Sequence, residues 1–240
     1  MVDVEFLTSV PIFASLNREQ LQSLPGKLQP RRYQRGEVIF HGDDSADRMH
    51  IIVEGRVKIS IASEDGRERD IALFQSGDCF GEMALLDGSN RSATATAVDA
   101  TETMVLFRRD FLDFLGENPE LAADVNTLLV QRLRNVNQML GDMVFLDVPT
   151  RVAKQLLTLA ETYAADAKPG DAIVVPIGQD ELARLVGASR ETVSRALNSY
   201  RRLACWTPPT GASPSPTFQA WREWPLSERF QPQTHAIISP

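Results

Sequence analysis

Cysteine is almost absent from this chain of 240 residues, which contains only Cys79 and Cys205. Two cysteines exclude a disulfide framework and a cysteine-rich metal site, and they fit a protein of a reducing compartment. No apolar run reaches the roughly 18 residues that span a bilayer. Positive charge is also scarce: the net charge is −7, which argues against a chain that coats nucleic acid or anionic membrane everywhere. These absences predict a soluble, cytoplasmic protein with no metal and no membrane partner.

The charge and the proline content are distributed unevenly. Residues 1–148 carry a net charge of −9, residues 149–203 carry +2, and residues 204–240 are neutral. Seven of the 14 prolines and all three tryptophans fall in the last 37 residues. The shifts predict an acidic domain, a small and mildly basic domain, and a tail of another kind.

Short β-prone runs dominate the first half of the chain. They are separated by turn signals rich in glycine and aspartate, which indicates a sandwich, jelly roll or barrel. The predicted strands are 36–40, 50–54, 56–61, 70–74, 92–98 and 103–107.

From about residue 119 to residue 145, apolar residues recur every three or four positions, which predicts one long helix. A helix of this length with a continuous apolar stripe usually packs on a twin, so we expect a dimer seam. The alternative is a helix that lies on its own β domain. A second helix is predicted over 150–165 and a short strand over 172–175.

Residues 180–202 have the pattern of two helices joined by a tight hinge. Gly187 permits the turn and Ser189 is a good N-cap for the second helix. Arg190, Glu191 and Arg195 are left exposed near the start of that helix, and such side chains can bond base edges in DNA. The sequence predicts a helix-turn-helix, with a solvated helical hairpin as the alternative.

A second motif lies between two of the predicted strands. Backbone N–H groups near Gly81, together with Arg91 and Ser92, can hold a phosphate, while Glu82 can accept from a ribose hydroxyl. The alternative is a glycine-rich turn with an unrelated surface arginine.

Together the two motifs resemble the cyclic-AMP receptor protein and FNR family of bacterial transcription regulators. The matching segments are Phe80-Gly-Glu-Met-Ala, Arg91-Ser-Ala-Thr, Phe145-Leu-Asp-Val and Val186-Gly-Ala-Ser-Arg-Glu-Thr-Val-Ser-Arg. The resemblance covers about 5–203. It implies an α+β fold with an N-terminal β jelly-roll effector domain (1–117), a dimerisation helix (118–147) and a winged-helix-type helix-turn-helix domain (148–203).

The resemblance also implies an effector site for a cyclic nucleotide. The ribose side is assigned to Gly81 and Glu82, in one motif with Met83 and Ala84, and the cyclic phosphate to Arg91 and Ser92. The dimer helix contributes Arg132 and the pair Val136 and Asn137, which reads the purine. Cyclic AMP is the leading ligand, although valine replaces the threonine that is usual in responders to it. Another cyclic nucleotide, or ligand-independent binding, remains the alternative.

Other branches of the family fit less well. The iron–sulfur branch needs four cysteines, and His41 and His50 are interpreted as loop or surface residues and not as haem ligands.

For DNA, the resemblance implies that Arg190, Glu191 and Arg195 read base edges. Ser189, Thr192 and Gln179 are expected to contact phosphates. The implied partners are double-stranded DNA with a TGTGA-like palindrome, a second copy of the chain, and RNA polymerase. The sequence has no nucleophile–base pair and no room for a catalytic domain within 149–203, so the protein is not expected to be an enzyme.

After Leu203 the chain departs from the family, which continues with a β-hairpin wing. Proline cannot donate to a sheet ladder, so the proline-rich stretch after 204 does not have the pattern of a wing. The codons of residues 204–217 can also be read one base out of frame. Whichever synonymous codons are used, the shifted frame can encode a turn followed by a strand of alternating apolar and polar residues. We therefore hypothesise that 204–240 is the product of a one-base deletion, and we expect an irregular tail without the wing. A native divergent tail is the alternative, and an effector-binding dimer with impaired DNA binding is the functional consequence if the wing is lost.

Overall fold

The computed structural model describes residues 3–63, 66, 68–163, 172–174, 177–202 and 217–219. The chain divides into two compact units, one ending at Phe145 and the other beginning at Leu146. None of the described helices is long and apolar enough to cross a membrane.

Two four-stranded antiparallel sheets form the body of the first unit. The strands are β1 (Gln29–Tyr33), β2 (Val38–Phe40), β3 (Arg48–Glu54), β4 (Val57–Ala62), β5 (Glu68–Phe74), β6 (Cys79–Phe80), β7 (Thr94–Ala97) and β8 (Thr101–Phe107). One sheet has the order β1-β8-β3-β6 and the other β2-β7-β4-β5. This arrangement confirms the predicted β-roll.

The prediction missed β1, and a physical reason is visible in its burial. Four of its five residues are exposed, so the strand shows no alternation of apolar and polar residues. It pairs along its whole length with β8, from Gln29 opposite Val105 to Tyr33 opposite Thr101. Backbone hydrogen bonds to β8, and not a buried apolar face, therefore stabilise this edge strand.

The described residues of the first unit also form five helices. They are α1 (Val4–Thr8), α2 (Arg18–Leu21), α3 (Met83–Asp87), α4 (Arg108–Glu117) and α5 (Leu121–Phe145), and a 3₁₀ turn covers Pro11–Phe13. The larger core joins the N-terminal elements, one sheet, α4 and the start of α5, with Phe13, Phe111 and Phe114 fully buried. Burying each such side chain contributes about 1.5–3 kcal/mol.

The long helix α5 divides into two halves with different surroundings. Its first half belongs to the core of its own domain: Leu121 and Val125 are buried there, and Asp124 accepts hydrogen bonds from the backbone N–H and hydroxyl of Ser15 at 2.7 and 2.6 Å. Its second half carries exposed apolar side chains. They are Val130, Leu133, Val136, Leu140, Met143, Val144 and Phe145. The interpretation of a helix that lies on its own β domain therefore holds for the first half, while the dimer seam stays a prediction for the exposed stripe of the second half.

The second unit contains α6 (Val148–Tyr163), α7 (Gln179–Val186) and α8 (Arg190–Arg202). Its core is apolar and includes Val152, Leu156, Leu182, Val186, Val193 and Leu197. On α7 the buried residues are Leu182, Ala183 and Val186, while Leu185 is only half-buried. The 3.6-residue period of the helix explains this set, because it brings Val186 under Leu182.

The expectation of an irregular tail was wrong for one short segment. Thr217–Gln219 forms β10, which pairs antiparallel with β9 (Ala172–Val174), with Phe218 opposite Ile173. Threonine and phenylalanine favour strands, which is consistent with this pairing. Residues 203–216 and 220–240 lie outside the described residues, so the expected absence of the wing falls on residues that the structure does not describe.

Candidate functional site

A cavity of about 350 Å³ lies in the first unit, between strands of the β-roll and helix α5. Its walls are mostly apolar, and its charged side chains are Glu82, Arg91 and Arg132. The lining residues are Phe40, Ile59, Ile71, Ala72, Leu73, Phe74, Phe80, Gly81, Glu82, Met83, Ala84, Arg91, Ser92, Ala93, Arg132, Asn135 and Val136.

Arg91 is held in a fixed position in the wall of this cavity. Only 5% of it is exposed, and its guanidinium donates to the carbonyl oxygens of Gly81 at 2.8 Å and Arg48 at 2.6 Å. The same group lies over the ring of Phe40, 4.1 Å from the centroid. Burial lowers the pKa of Arg91, but a guanidinium remains charged. Its Nε has no hydrogen-bond partner among the described residues. A buried cation of this kind suits an anionic ligand.

Gly81 lets the backbone come close to Arg91. Its φ is +80°, and a Cβ placed there would stand 2.5 Å from Nη1 of Arg91. Any larger residue would therefore strain the backbone and displace the guanidinium.

Glu82 supplies a buried acceptor beside the arginine. It is fully buried, and one of its carboxylate oxygens forms an ion pair with Arg132. The other oxygen, Oε2, has no hydrogen-bond partner within the described part of the chain. An unpartnered buried acceptor is costly, so it points to a hydroxyl donor on a ligand.

Arg132 reaches into the cavity from α5. Besides its ion pair with Glu82, it donates to the carbonyl oxygen of Cys79 and lies over the ring of Phe74, 4.9 Å from the centroid. Burial, with the Glu82 charge second, raises the pKa of the Cys79 thiol to about 12. The Cys79 side chain is therefore neutral and unreactive, and it does not line the cavity.

Beneath the cavity lies a cluster of rings that the sequence reasoning missed. His50 stacks on Phe80 with a centroid separation of 4.9 Å, and Phe80 contacts Phe40 at 5.8 Å and Phe74 at 6.5 Å. His50 is 2% exposed, so its interpretation as a loop or surface residue was wrong. The continuous apolar run around His50 could have shown this, because it is typical of a strand buried on both faces, and Met49, Ile51 and Ile52 are all buried.

Eight of the nine residues assigned to the effector line this one cavity: Gly81, Glu82, Met83, Ala84, Arg91, Ser92, Arg132 and Val136. Asn137 does not line it and is exposed, whereas Asn135, which was not considered, does. The helical period carries the missing signal, because positions 132, 135 and 136 share one face.

The second unit presents the two helices and the hinge that the sequence predicts. Helix α7 ends at Val186 and is capped by Gly187, whose φ of 63° and ψ of 53° are left-handed. Ser189 then accepts from the backbone N–H of Thr192 at 3.3 Å and caps α8. The buried Val193 and Leu197 tie α8 to the core, so its opposite face is open.

The residues assigned to DNA lie around the hinge and the first turns of α8. Arg190, Glu191 and Arg195 are exposed there. Arg190 forms an ion pair of 3.6 Å with Asp180, and Arg195 donates to the hydroxyl of Thr192 at 3.1 Å. Gln179 is half-buried at the start of α7.

Hydrogen bonds at the start of α8, first from its own backbone N–H and then from Ser189, lower the pKa of Glu191. Glu191 is therefore an ionised acceptor between two arginines.

The first unit thus contains a ligand cavity in a β-roll, and the second contains a helix-turn-helix with an exposed, donor-rich helix. Together these features define an effector-responsive DNA-binding regulator. Residues 30–118 match the cyclic nucleotide-binding domain family, and residues 150–205 match the Crp-like helix-turn-helix domain family.

Curated relatives agree with these matches. The chain is 35% identical over 196 residues to the CRP-like cAMP-activated global transcriptional regulator of Mycobacterium tuberculosis, covering 82% of this chain and 88% of that protein. It is 36% identical over 189 residues to the cyclic AMP receptor protein of Thermus thermophilus, covering 79% and 84%. The chain therefore belongs to the CRP/FNR family of transcription regulators, and it is a regulator and not an enzyme.

Solved structures show the same fold. The c-di-GMP-responsive regulator CLP of Xanthomonas campestris matches with a TM-score of 0.74 at 21% identity, covering 85% of this chain and 100% of that one. The catabolite activator protein of Thermus thermophilus matches with a TM-score of 0.52 at 33% identity, covering 87% and 93%.

Proposed function

We propose that this chain is a homodimeric, cytoplasmic transcription regulator whose binding to a TGTGA-like palindrome is gated by cyclic AMP. The observation that carries the proposal is that one cavity contains both a buried cation and a buried acceptor that has no hydrogen-bond partner among the described residues. Arg91 and Glu82 line the same cavity, and Oε2 of Glu82 is the unpartnered atom. Gly81, the residue before Glu82, accepts a hydrogen bond from Arg91 through its carbonyl oxygen.

The two groups match the two polar parts of a cyclic nucleotide. Arg91 offers its unpartnered Nε to a cyclic phosphate, with Ser92 beside it on the cavity wall. Oε2 of Glu82 can accept from a ribose hydroxyl. The apolar remainder of the wall suits the faces of a purine, and a cavity of about 350 Å³ is within the usual size for a small ligand.

Cyclic AMP is proposed over other nucleotides for two reasons. The two curated relatives described above, each more than 30% identical to this chain, are named for cyclic AMP. The regulator named for c-di-GMP shares only the fold, at 21% identity.

A second copy of the chain is the proposed partner of the second half of α5. Seven apolar side chains there are between 41% and 83% exposed in the single chain, which is costly for a surface that meets only water. A symmetric dimer covers the stripe and also sets two recognition helices about one turn of DNA apart.

In each protomer the exposed Arg190, Glu191 and Arg195 are proposed to read base edges, and Gln179, Ser189 and Thr192 to contact phosphates. RNA polymerase is the proposed downstream partner of the DNA-bound dimer.

Isothermal titration of the full-length protein with cyclic AMP, cyclic GMP and c-di-GMP tests the effector assignment. We expect cyclic AMP to bind most tightly, with one site per protomer. Tighter binding of either other nucleotide would replace cyclic AMP as the effector, and no binding of any of the three would refute an effector-gated function.

A further inference from the structure

We infer that Asp180, at the start of helix α7, is a positioning residue for Arg190 and so strengthens the selection of guanine by helix α8. The inference rests on the proposed function, because it takes Arg190 as a side chain that reads a base edge. Asp180 itself is not among the residues proposed above for DNA, and its acidic side chain has no attraction for phosphate.

Asp180 approaches Arg190 from one side of the guanidinium. Its Oδ1 atom lies 3.6 Å from Nε of Arg190. Nε lies on that side of the group, and the two Nη atoms form its far end. A bidentate contact with O6 and N7 of guanine needs two neighbouring N–H donors, and the two Nη groups supply them. The carboxylate therefore contacts the arginine at an atom that an end-on contact with guanine does not use.

The hinge brings the starts of the two helices together. Helix α7 begins at Gln179 and helix α8 at Arg190, and the left-handed Gly187 turns the chain between them. The side chain of Asp180 is 65% exposed and that of Arg190 is 63% exposed. The ion pair thus lies on the open surface where Arg190 is proposed to meet DNA, and its two partners come from different helices.

The other arginine proposed to read bases is restrained in a similar way. Arg195 donates through Nη2 to the hydroxyl of Thr192 at 3.1 Å, and that hydroxyl lies 3.1 Å from the hydroxyl of Ser189. A long side chain loses much rotamer freedom when it binds, so a partner that orders it beforehand lowers the cost of binding. Both arginines therefore have a polar neighbour that limits their orientations.

The carboxylate of Asp180 also has an unfavourable effect on DNA binding. Phosphates repel it, and binding to DNA of any sequence depends on the positive charge of the surface. Residues 149–203 carry a net charge of only +2, so one acidic side chain removes a large part of a small attraction. Specificity is a difference between two affinities, so a group that weakens binding to every sequence and favours one base increases it.

Glu181→Gln is the matched control for Asp180→Asn. An acidic residue in the first turn of a helix stabilises that helix through its dipole, and both Asp180 and Glu181 lie in the first turn of α7. Glu181 follows by one residue, which turns its side chain about 100° round the helix. The two variants remove the same charge from the same turn, but only Asp180→Asn removes the partner of Arg190.

The test measures the affinity of the full-length protein for DNA by fluorescence anisotropy, at one salt concentration and with saturating cyclic AMP. The duplexes are a TGTGA-like palindrome, versions in which one G·C pair of one half-site is replaced by A·T, and a duplex of unrelated sequence. The pair read by Arg190 is the one at which Arg190→Ala loses the preference for G·C. There we expect the wild type to prefer G·C by about 10- to 100-fold.

Asp180→Asn should reduce this preference by about two- to fivefold, the range that an exposed ion pair supplies. It should also bind the unrelated duplex more tightly than the wild type does, because a negative charge is lost. Asp180→Glu should keep the wild-type preference, since its carboxylate can still contact Nε. A change in helix stability alone would not produce opposite effects on preference and on non-specific affinity.

The outcomes separate the inference from the proposed function. A preference for G·C in Asp180→Asn equal to that of the wild type would overturn the inference, and so would an equal loss of preference in Glu181→Gln. If Arg190→Ala keeps the wild-type preference at every G·C pair, or if the wild type has none, the proposed base reading by Arg190 is wrong, and the inference fails with it.

Discussion

The guanidinium of Arg91 lies 4.1 Å above the ring centroid of Phe40, within the wall of the cavity. The ring comes from strand β2 and the arginine from the segment before β7, and the two strands are neighbours in one sheet. Phe40 therefore restricts the cation from one side, while two carbonyl oxygens bind it in the plane of its N–H groups. Contacts within the chain itself therefore fix the arginine in the cavity wall.

Replacing this ring should weaken binding without removing the charge. For Phe40→Leu we expect the affinity for cyclic AMP to fall about 5- to 30-fold, since a partly desolvated cation–π contact contributes about 1–2 kcal/mol. Titration calorimetry measures the change. Phe107→Leu is the control, because the Phe107 ring lies under Arg48, 5.4 Å away, and does not line the cavity. Equal affinities for Phe40→Leu and the wild type would show that the contact between the Phe40 ring and Arg91 does not contribute to binding.

Removal of Arg91 itself should have a larger effect. Arg91→Ala leaves the cavity without the cation proposed for the phosphate, so we expect cyclic-nucleotide binding to fall below detection while circular dichroism still shows a folded protein. Arg48→Ala serves as a control, since the Arg48 side chain pairs with Asp47 and does not line the cavity. An unchanged affinity in Arg91→Ala would move the ligand site elsewhere.

The buried histidine should make the first unit sensitive to acid. Burial first, and then the charges of Arg91 and Arg48, lower the pKa of His50 to about 3. In the unfolded chain the ordinary pKa is about 6.5, so below that pH the unfolded state binds a proton that the folded state excludes. The stability contribution is complete above pH 6.5 and is lost by about 1.4 kcal/mol per pH unit as the pH falls towards 3.

His50→Phe keeps the stacking on Phe80 and removes the titration. Between pH 7 and pH 5 the wild type should therefore lose about 2 kcal/mol more unfolding free energy than His50→Phe, as measured by urea denaturation. His41→Ala controls for the removal of a histidine from an exposed loop. Parallel pH profiles for the wild type and His50→Phe would contradict the account.

The tail hypothesis makes a prediction about DNA. Restoring the reading frame by one base after the Leu203 codon should supply a wing that contacts phosphates next to the recognition helix. We expect tighter binding to the same palindrome, a higher melting temperature, and a salt dependence steeper by about one unit for each added phosphate contact. Equal affinity, melting temperature and salt slope would favour a native tail, as would an intact frame in the gene together with the mass of the C-terminal peptide from native protein.

Local signals explain what the sequence could predict. Gly187 and Ser189 fix the hinge and the cap of the helix-turn-helix through their own backbone preferences, and Gly81 and Arg91 belong to one short motif. The remainder depends on tertiary contacts. The phase of α5, which brings Asn135 and not Asn137 to the cavity, is set by the packing of Leu121 and Val125 on the β domain. The position of His50 under Phe80 depends likewise on how strands far apart in the chain are paired.

The central claim is that cyclic AMP gates DNA binding, and fluorescence anisotropy with a labelled TGTGA-like palindrome tests it most directly. At one fixed salt concentration, saturating cyclic AMP should tighten the binding of the full-length protein by about 5- to 150-fold, the usual range of allosteric coupling. The same addition should have no effect on Arg91→Ala. Identical affinities with and without cyclic AMP for a wild type that binds the nucleotide would contradict the claim.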